Sequence, residues 1–264
     1  MIDSRQRFLV DAFGLSETGP VRRLNEDCFI SAKELHLFVV ADGMGGHAAG
    51  EVAARVAVES IENFIRRSHD TTDFSWPFGV DPGLSYEANR LKTSVSLANR
   101  RIHRLAESHD DYLGMGTTVV CALVADGQLI VAHVGDSRLY VCDGGDLVQL
   151  TQDDSWAATV LGGKGANSAP PSTRHVLTNV LGARPETEVH LLERELRGKE
   201  TLLLCSDGLH GSVPHDTLRE VVASNQELPA LAQSLISTAL KLGSRDNITA
   251  LVVRCGPNEG GHNG

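Results

Sequence analysis

Five aspartates stand where apolar runs begin or stop. The run Leu37-Phe38-Val39-Val40-Ala41 drives into Asp42-Gly43. Val131-Ala132-His133-Val134 closes on Gly135-Asp136, and Leu202-Leu203-Leu204-Cys205-Ser206 closes on Asp207-Gly208. Asp27 precedes Cys28-Phe29-Ile30, and Asp246 precedes Asn247 and the last apolar run. A strand that ends on a carboxylate places it at the rim of a sheet, where a ligand can approach. A single Asp-Gly at a strand end is a turn signal. Five rim acids spread over the whole chain point further. If the sheets stack, their rims converge, and clustered carboxylates repel one another unless cations neutralise them. Oxygen-only ligation predicts Mg²⁺ or Mn²⁺ rather than zinc. Gly43, without a Cβ, lets its carbonyl sit beside a charged ligand at little steric cost.

The elements that must position these acids are legible as periods. Residues 8–15, 28–31 and 35–41 read as strands, the last ending at Asp42. Ala53, Ala57, Ile61 and Ile65 recur at four-residue steps and predict a helix that begins near Glu51. Residues 69–83 read as a loop. A second helix carries the stripe Leu84, Ala88, Leu91, Val95, Ala98, Ile102 and Leu105, with Arg90, Lys92, Arg100, Arg101 and Arg104 on its solvated face. From Gly116 the period becomes two, predicting strands at 117–125, 129–134, 138–142 and 147–150 with turns at Asp126-Gly127 and Gly144-Gly145. Asp153 to Leu161 reads as a short helix, and 162–171 as flexible. Strands are expected at 188–192, 200–206 and 248–255, and helices near 214–223 and 228–242, where Pro229 suits a first turn. With no linker between two cores and no internal repeat, this is one α+β domain over 8–254, with a flap at about 152–182 and an unordered tail at 255–264.

Composition narrows the function. The chain has 264 residues, 41% hydrophobic and 22% charged, with a formal charge of −10. An acidic balance argues against nucleic-acid binding, which needs a basic face. Cys28, Cys121, Cys142, Cys205 and Cys255 are scattered, odd in number and never in a C-x-x-C pair, so core thiols in a reducing cytoplasm are expected. The first residues carry no signal-like apolar stretch. No apolar run approaches ~18 residues, so no membrane span is expected.

Six strings resemble one family in order and spacing: Val21-Arg22-Arg23-Leu24-Asn25-Glu26-Asp27, Val40-Ala41-Asp42-Gly43-Met44-Gly45-Gly46-His47, Gly116-Thr117-Thr118, His133-Val134-Gly135-Asp136-Ser137-Arg138, Leu203-Leu204-Cys205-Ser206-Asp207-Gly208-Leu209 and Arg245-Asp246-Asn247-Ile248-Thr249. They look like the motifs of the metal-dependent (PPM) type 2C serine/threonine protein phosphatases in their bacterial form. The resemblance implies two stacked antiparallel β-sheets flanked by α-helices, with two Mn²⁺ or Mg²⁺ ions at one end of the sandwich. In that reading Asp42 bridges the two metals, and the Gly43 carbonyl binds the second. Asp207 and Asp246 bind the first, and Asp27 belongs to the shell of the second. Asp136, sharing Asp207, would hold a third, weaker ion. Arg22 matches the phosphate-binding arginine, with Glu26 and Asn247 in support. A hydroxide bridging the metals would then attack the phosphorus of phosphoserine or phosphothreonine directly. The implied partners are phosphoproteins and a cognate serine/threonine kinase, and the implied state is a monomer.

Three positions depart from the family pattern. Met44 stands where many eukaryotic members have a histidine proposed as general acid, which leaves that role unassigned. His47 is a substitute candidate, with a structural role favoured. Asp154 replaces the histidine of a D-H-S string and is read as tuning the substrate, and Asn179 stands where arginine is common. Two other functions compete. A pseudophosphatase that docks a kinase or regulator would be expected to lose its ligands, which this chain retains. A metal-dependent nuclease or phosphodiesterase fits poorly with the acidic charge.

Overall fold

The structure is a computed structural model and describes residues 8–46, 49–69, 76–161 and 176–257. Among the described residues eleven strands run in order: β1 (Phe8–Glu17), β2 (Asp27–Ala32), β3 (Leu37–Met44), β4 (Gly116–Thr117), β5 (Val119–Ala125), β6 (Gln128–Val134), β7 (Arg138–Asp143), β8 (Asp146–Gln149), β9 (His190–Glu195), β10 (Thr201–Cys205) and β11 (Ile248–Pro257). The helices are α1 (Ala49–His69), α2 (Tyr86–Ser108), α3 (Trp156–Leu161), α4 (Asp207–His210), α5 (His215–Val222) and α6 (Leu228–Lys241). One antiparallel sheet has the order β1-β11-β10-β7-β8. The other has the order β2-β3-β5-β6-β9, with β4 paired to the end of β3.

The two-residue period of the strands sorts their side chains into three cores. Leu37, Val39 and Ala41 of β3 face α1 and α2, where they meet Ala53, Ala57, Ile61, Leu91, Val95 and Ile102. Phe38 and Val40 point the other way, into the contact between the sheets, and meet Val120, Leu139, Leu204, Leu251 and Val253. On the far side Ile248, Ala250 and Val252 of β11 pack against Leu231, Leu235 and Ile236 of α6. The order of layers is therefore helix, sheet, sheet, helix. Burial of each such Val, Leu or Ile is worth about 1.5–3 kcal/mol, so the apolar alternation fixes which face of every strand looks inward.

Several boundaries differ from the sequence reading. β3 does not stop at Asp42. It runs on to Met44 because Gly43 and Met44 find a new partner in Thr117 and Gly116 of β4. α2 starts at Tyr86, where the Ser85 hydroxyl accepts the Ala88 N–H at 3.1 Å as a cap. α3 starts at Trp156 rather than Asp153, because Asp153 and Asp154 are engaged elsewhere and Ser155 Oγ accepts the Ala158 N–H at 3.2 Å. The strand expected at 188–192 lies at 190–195, paired to β6 from His133↔His190 to Gln128↔Glu195. A one-turn helix, α4, follows β10 and was not expected. β11 continues to Pro257, opposite Phe8, so residues 255–257 pair with β1 instead of forming a tail. Most of the expected flap, 162–175, and the tail beyond 257 lie outside the described residues. Among the described residues no helix is long and apolar enough to cross a membrane.

Candidate metal centre

The inner faces of the two sheets are apolar until their last residues. Asp42 continues the parity of Phe38 and Val40, and Thr249 continues that of Leu251 and Val253. The β2–β3 register sets Asp27 directly opposite Asp42. Such pairs have Cβ atoms about 4.5–5.5 Å apart, and like charges there are destabilising. Asp27 is buried. Its Oδ2 accepts the Ser206 hydroxyl at 2.7 Å and the Thr249 hydroxyl at 2.6 Å, while its Oδ1 is buried without a partner. Burial pushes the Asp27 carboxyl up to about 7 against the pull of those two hydroxyls, with Asp207 and Asp246 adding repulsion. Asp42 keeps some surface because it lines a cavity, yet it is stripped of most solvent. Burial first, then Asp27, Asp207, Asp136 and Asp246, raise it well above the usual carboxylate range. Burial and Asp207 push Asp136 up to about 8.

These acids surround one cavity of about 220 Å³, lined by Asp42, Asp136, Asp207, Asp246, Glu26 and Arg22 together with Gly43, Met44, Gly45, Thr118, Leu177 and Asn247. The structure thus brings every expected site residue but one onto a common wall. Asp27 sits beneath it, hydrogen-bonded to the ends of β10 and β11. Arg22 is about half exposed, and its Nη2 donates to Asp246 Oδ2 at 2.7 Å. That bond, ahead of the opposing desolvation, raises the guanidinium pKa. Glu26 lines the wall with Oε1 buried and unpartnered, and burial raises its carboxyl pKa. Asn247 ties this loop down. Its Oδ1 accepts the Glu26 N–H, and its Nδ2 donates to the Thr18 and Leu24 carbonyls, each at 2.9 Å.

The backbone at Asp42 is fixed from the side. Asp42 N–H donates to Thr118 Oγ1 at 3.1 Å, and the Asp42 carbonyl accepts from Thr118 N–H and Thr117 Oγ1, both at 2.9 Å. Gly43 has no room for a Cβ, which would run into the Gly50 carbonyl and lie 2.7 Å from the Glu26 carbonyl. Close packing of two backbones is thus one reason for glycine here. Thr118, Ser206, Thr249 and His210, whose Nε2 lies 3.0 Å from the Asp136 carbonyl, are contributors that sequence reasoning did not single out. Thr249 and Ser206 were visible only as neighbours of the acids.

The donor set fits hard divalent cations. It offers carboxylates and backbone oxygen, with buried carboxylate oxygens of Glu26 and Asp27 left unpartnered. Among the described residues no three His, Cys, Asp or Glu side chains are gathered closely enough to grip an ion as they stand. Closing these acids to ligand distance requires positive charge among them.

The departures also have places. Met44 lines the cavity, while His47 lies outside the described residues. Asp154 and Asn179 touch each other, Nδ2 to Oδ2 at 2.9 Å. The same Asp154 Oδ2 accepts the Gly135 N–H at 3.0 Å, and the Asp154 N–H returns a bond to the Gly135 carbonyl at 3.0 Å. Its Oδ1 lies 2.9 Å from His190 Nε2. Asn179 donates on to the Glu188 carbonyl and accepts from Thr187. Asp154 clasps the peptide that precedes Asp136 and joins both stems of the 152–182 segment to it. Gly135 sits there at φ +97°, where a Cβ would also strike Thr118.

Comparison with known proteins bears on the family and the fold. The family model for Protein phosphatase 2C matches residues 23–243. The chain is 34% identical over 245 residues to the serine/threonine phosphatase stp of Listeria welshimeri, covering 90% of this chain and 93% of that one. It is 35% identical over 245 residues to the serine/threonine protein phosphatase PstP of Mycobacterium tuberculosis, where it spans 43% of the longer relative. A solved structure of the PstP catalytic domain in complex with two manganese ions superposes with a TM-score of 0.79 at 32% identity, covering 94% of this chain and 99% of that one.

Proposed function

The chain belongs to the protein phosphatase 2C family, and from that membership we propose that it is a metal-dependent serine/threonine protein phosphatase acting on phosphoserine and phosphothreonine in proteins. The observation that supports this best is the convergence of Asp42, Asp136, Asp207 and Asp246 on one cavity with Arg22 at its wall. Asp42, Asp207 and Asp246, with the Gly43 carbonyl, would hold two Mn²⁺ or Mg²⁺ ions. Asp136 would hold a third, weaker one beside Asp207, and Asp27 would act from beneath. Bound there, such ions supply an acidified water as nucleophile and neutralise charge on the phosphoryl oxygens.

The chain's own groups do the rest. Arg22 leaves Asp246 for the phosphate, where its planar array of N–H donors suits two oxygens at once. Asn247 and the Thr117–Thr118 pair keep the Arg22–Glu26 loop and Asp42 in place while charge builds up. The thiols argue against a phospho-enzyme on cysteine. Burial raises all five thiols, Cys205 and Cys255 to about 12, so none is a thiolate at neutral pH, and none lines the cavity. Free thiols also suit a cytoplasmic protein. In that setting its partners would be phosphoproteins and a cognate serine/threonine kinase, met as a monomer.

The direct test is release of phosphate from a phosphothreonine peptide. Release with Mn²⁺, abolished by EDTA and by Asp42→Ala or Asp207→Ala, is expected. Absence of release with Mn²⁺ across pH 6–9 would sink the reading. A second reading, a pseudophosphatase that docks a kinase or regulator, draws on the Arg22–Asp246 pair, which ties up two site residues. Calorimetry separates the two, because only the binding module would fail to take up Mn²⁺.

A further inference from the structure

A second concave surface lies on the outer helical layer, away from the metal centre. It is a groove of about 550 Å³ between α1 and α2. Its floor is the half-buried Phe64, Leu97 and Leu105, and four arginines line it: Arg67 from α1 and Arg100, Arg101 and Arg104 from α2. Arg22, Arg55, Arg66, Arg90, Arg138 and Arg197 each pair with a carboxylate. Among the described residues, none of the four groove arginines does. Arg100 lies over the Phe78 ring at 4.1 Å, and Arg101 Nη1 donates to the Ser60 hydroxyl at 3.2 Å. Both guanidinium groups are thus held in place without being neutralised.

This arrangement runs against local electrostatics. Arg100 and Arg104 stand at i,i+4, a like-charge spacing that weakens a helix by a few tenths of a kcal/mol. Tertiary structure then adds Arg67 from the neighbouring helix. The concentration occurs in a chain whose net charge is −10. An anion of high charge density, presented beside an apolar side chain, complements both the arginines and the floor. Arginine's planar donors suit phosphate and carboxylate alike, but a phosphorylated side chain brings about −1.5 to −2 charges and three acceptor oxygens to one point, which suits four clustered arginines better than a single carboxylate does. A nucleic-acid duplex, which needs an extended basic face, is disfavoured by the chain's net charge of −10.

We propose that the α1–α2 groove is a docking site for a phosphorylated segment of a protein substrate, a phosphoserine or phosphothreonine flanked by an apolar residue. The groove holds one phosphorylated residue while another, on the same chain, enters the metal centre. Naming the partner as a substrate rests on the phosphatase reading, whereas the groove's affinity for phosphorylated peptide does not. Geometry sets the spacing. α1 starts beside the metal centre, at Ala49-Gly50, and its groove residues run from Ser60 to Arg67. At 1.5 Å per residue they lie roughly 16–27 Å along the helix. An extended peptide covers that with about five to eight residues at ~3.3 Å each.

Two readouts test this with the full chain and Mn²⁺. The first is fluorescence anisotropy with a peptide carrying two non-hydrolysable phosphonate analogues of phosphoserine, seven residues apart. Arg100→Glu/Arg104→Glu, and separately Arg67→Glu, should weaken binding at least tenfold, while Arg100→Lys/Arg104→Lys should weaken it less. Arg67 and Arg104 are exposed and Arg100 is half-buried, and circular dichroism checks that the variants fold. The second is turnover. For a doubly phosphorylated peptide the Glu variants should raise KM about tenfold with kcat unchanged, and for p-nitrophenyl phosphate they should change neither constant. Equal peptide affinity for wild type and Glu variants overturns the proposal, as does an equal loss for an unphosphorylated acidic peptide or for anionic vesicles. Loss of p-nitrophenyl phosphate turnover in the wild type would count against the phosphatase reading alone, since anisotropy still reports the groove.

Discussion

Removing divalent cations should make this protein less stable as the pH rises, and neutralising one buried acid should remove that acid's share of the loss. In the folded chain without metal, burial pushes the Asp27 carboxyl up to about 7 and, with Asp207, the Asp136 carboxyl up to about 8, from 3.8. Wherever the native state holds protons that the unfolded chain has lost, stability falls with pH by about 1.4 kcal/mol per group per unit. For these carboxylates the favourable contribution is complete below pH ~4 and is lost as pH climbs through 7 and 8. His133 acts in the opposite sense. Burial, then His190, lowers its pKa to about 4 from 6.5, so it destabilises the fold below pH 6.5 and is silent above it. The clean window is therefore pH 6.5 to 8.5. There Asp27 gives up about half a unit and Asp136 about one and a half, together about 3 kcal/mol. Asp42 adds to the loss, because it too is raised. For a chain of this size that corresponds to a fall in Tm of about 6–12 °C. Calorimetry in EDTA at pH 6.5, 7.5 and 8.5 measures it. Mn²⁺ at a hundred times its Kd should return about 2.7 kcal/mol per site and flatten the profile. Asp42→Asn should lose only the Asp42 share of the fall in EDTA, since Asp27 and Asp136 are raised chiefly by burial and Asp207, and it should gain nothing from Mn²⁺ and be inactive. An Asp42→Asn protein no more stable than wild type in EDTA at pH 8.5, or one still stabilised by Mn²⁺, would refute the reasoning.

Other substitutions probe the surrounding parts. Arg22→Ala should lower kcat/KM for a phosphothreonine peptide by about 10- to 100-fold, the worth of a charge-assisted hydrogen bond, with Mn²⁺ affinity by calorimetry nearly unchanged. Gly43→Ala should cost about 1–3 kcal/mol in urea unfolding, because the added methyl meets backbone on both sides. Gly46→Ala, where a Cβ meets nothing within 4 Å, should stay within about 0.5 kcal/mol. Asp154→Ala strands the Gly135 N–H and should cost about 1–3 kcal/mol. Asp154→Asn, whose amide oxygen can still accept that bond, should recover most of it.

How much was legible beforehand follows from what each signal encodes. Phe38, Val40 and Asp42 share a parity, as do Leu251 and Thr249, so alternation alone says that the acids continue the inward faces of strands. It cannot say which strand lies opposite. Asp27 and Asp42 face each other only because β2 and β3 pair in that register. The end of β3 was misread at Asp42 because its extension depends on Thr117, some seventy residues away. α4 is one turn long, too short for any periodicity to register.

By itself the sequence determined the alternation and helical stripes that make two sheets and two helical layers, and the residue types able to hold hard cations. Those are local properties, written into spacing and chemistry. Tertiary structure alone decided that Glu26 lines the cavity while Asp27 lies under it, that Arg22 holds Asp246, and that Asp154 and Asn179 form one clasp on Gly135. It also turned a solvated helix face into a groove, by bringing Arg67 against Arg100, Arg101 and Arg104. Burial, charge repulsion and hydrogen bonding act between neighbours in space, and those neighbours exist only once the sheets have stacked.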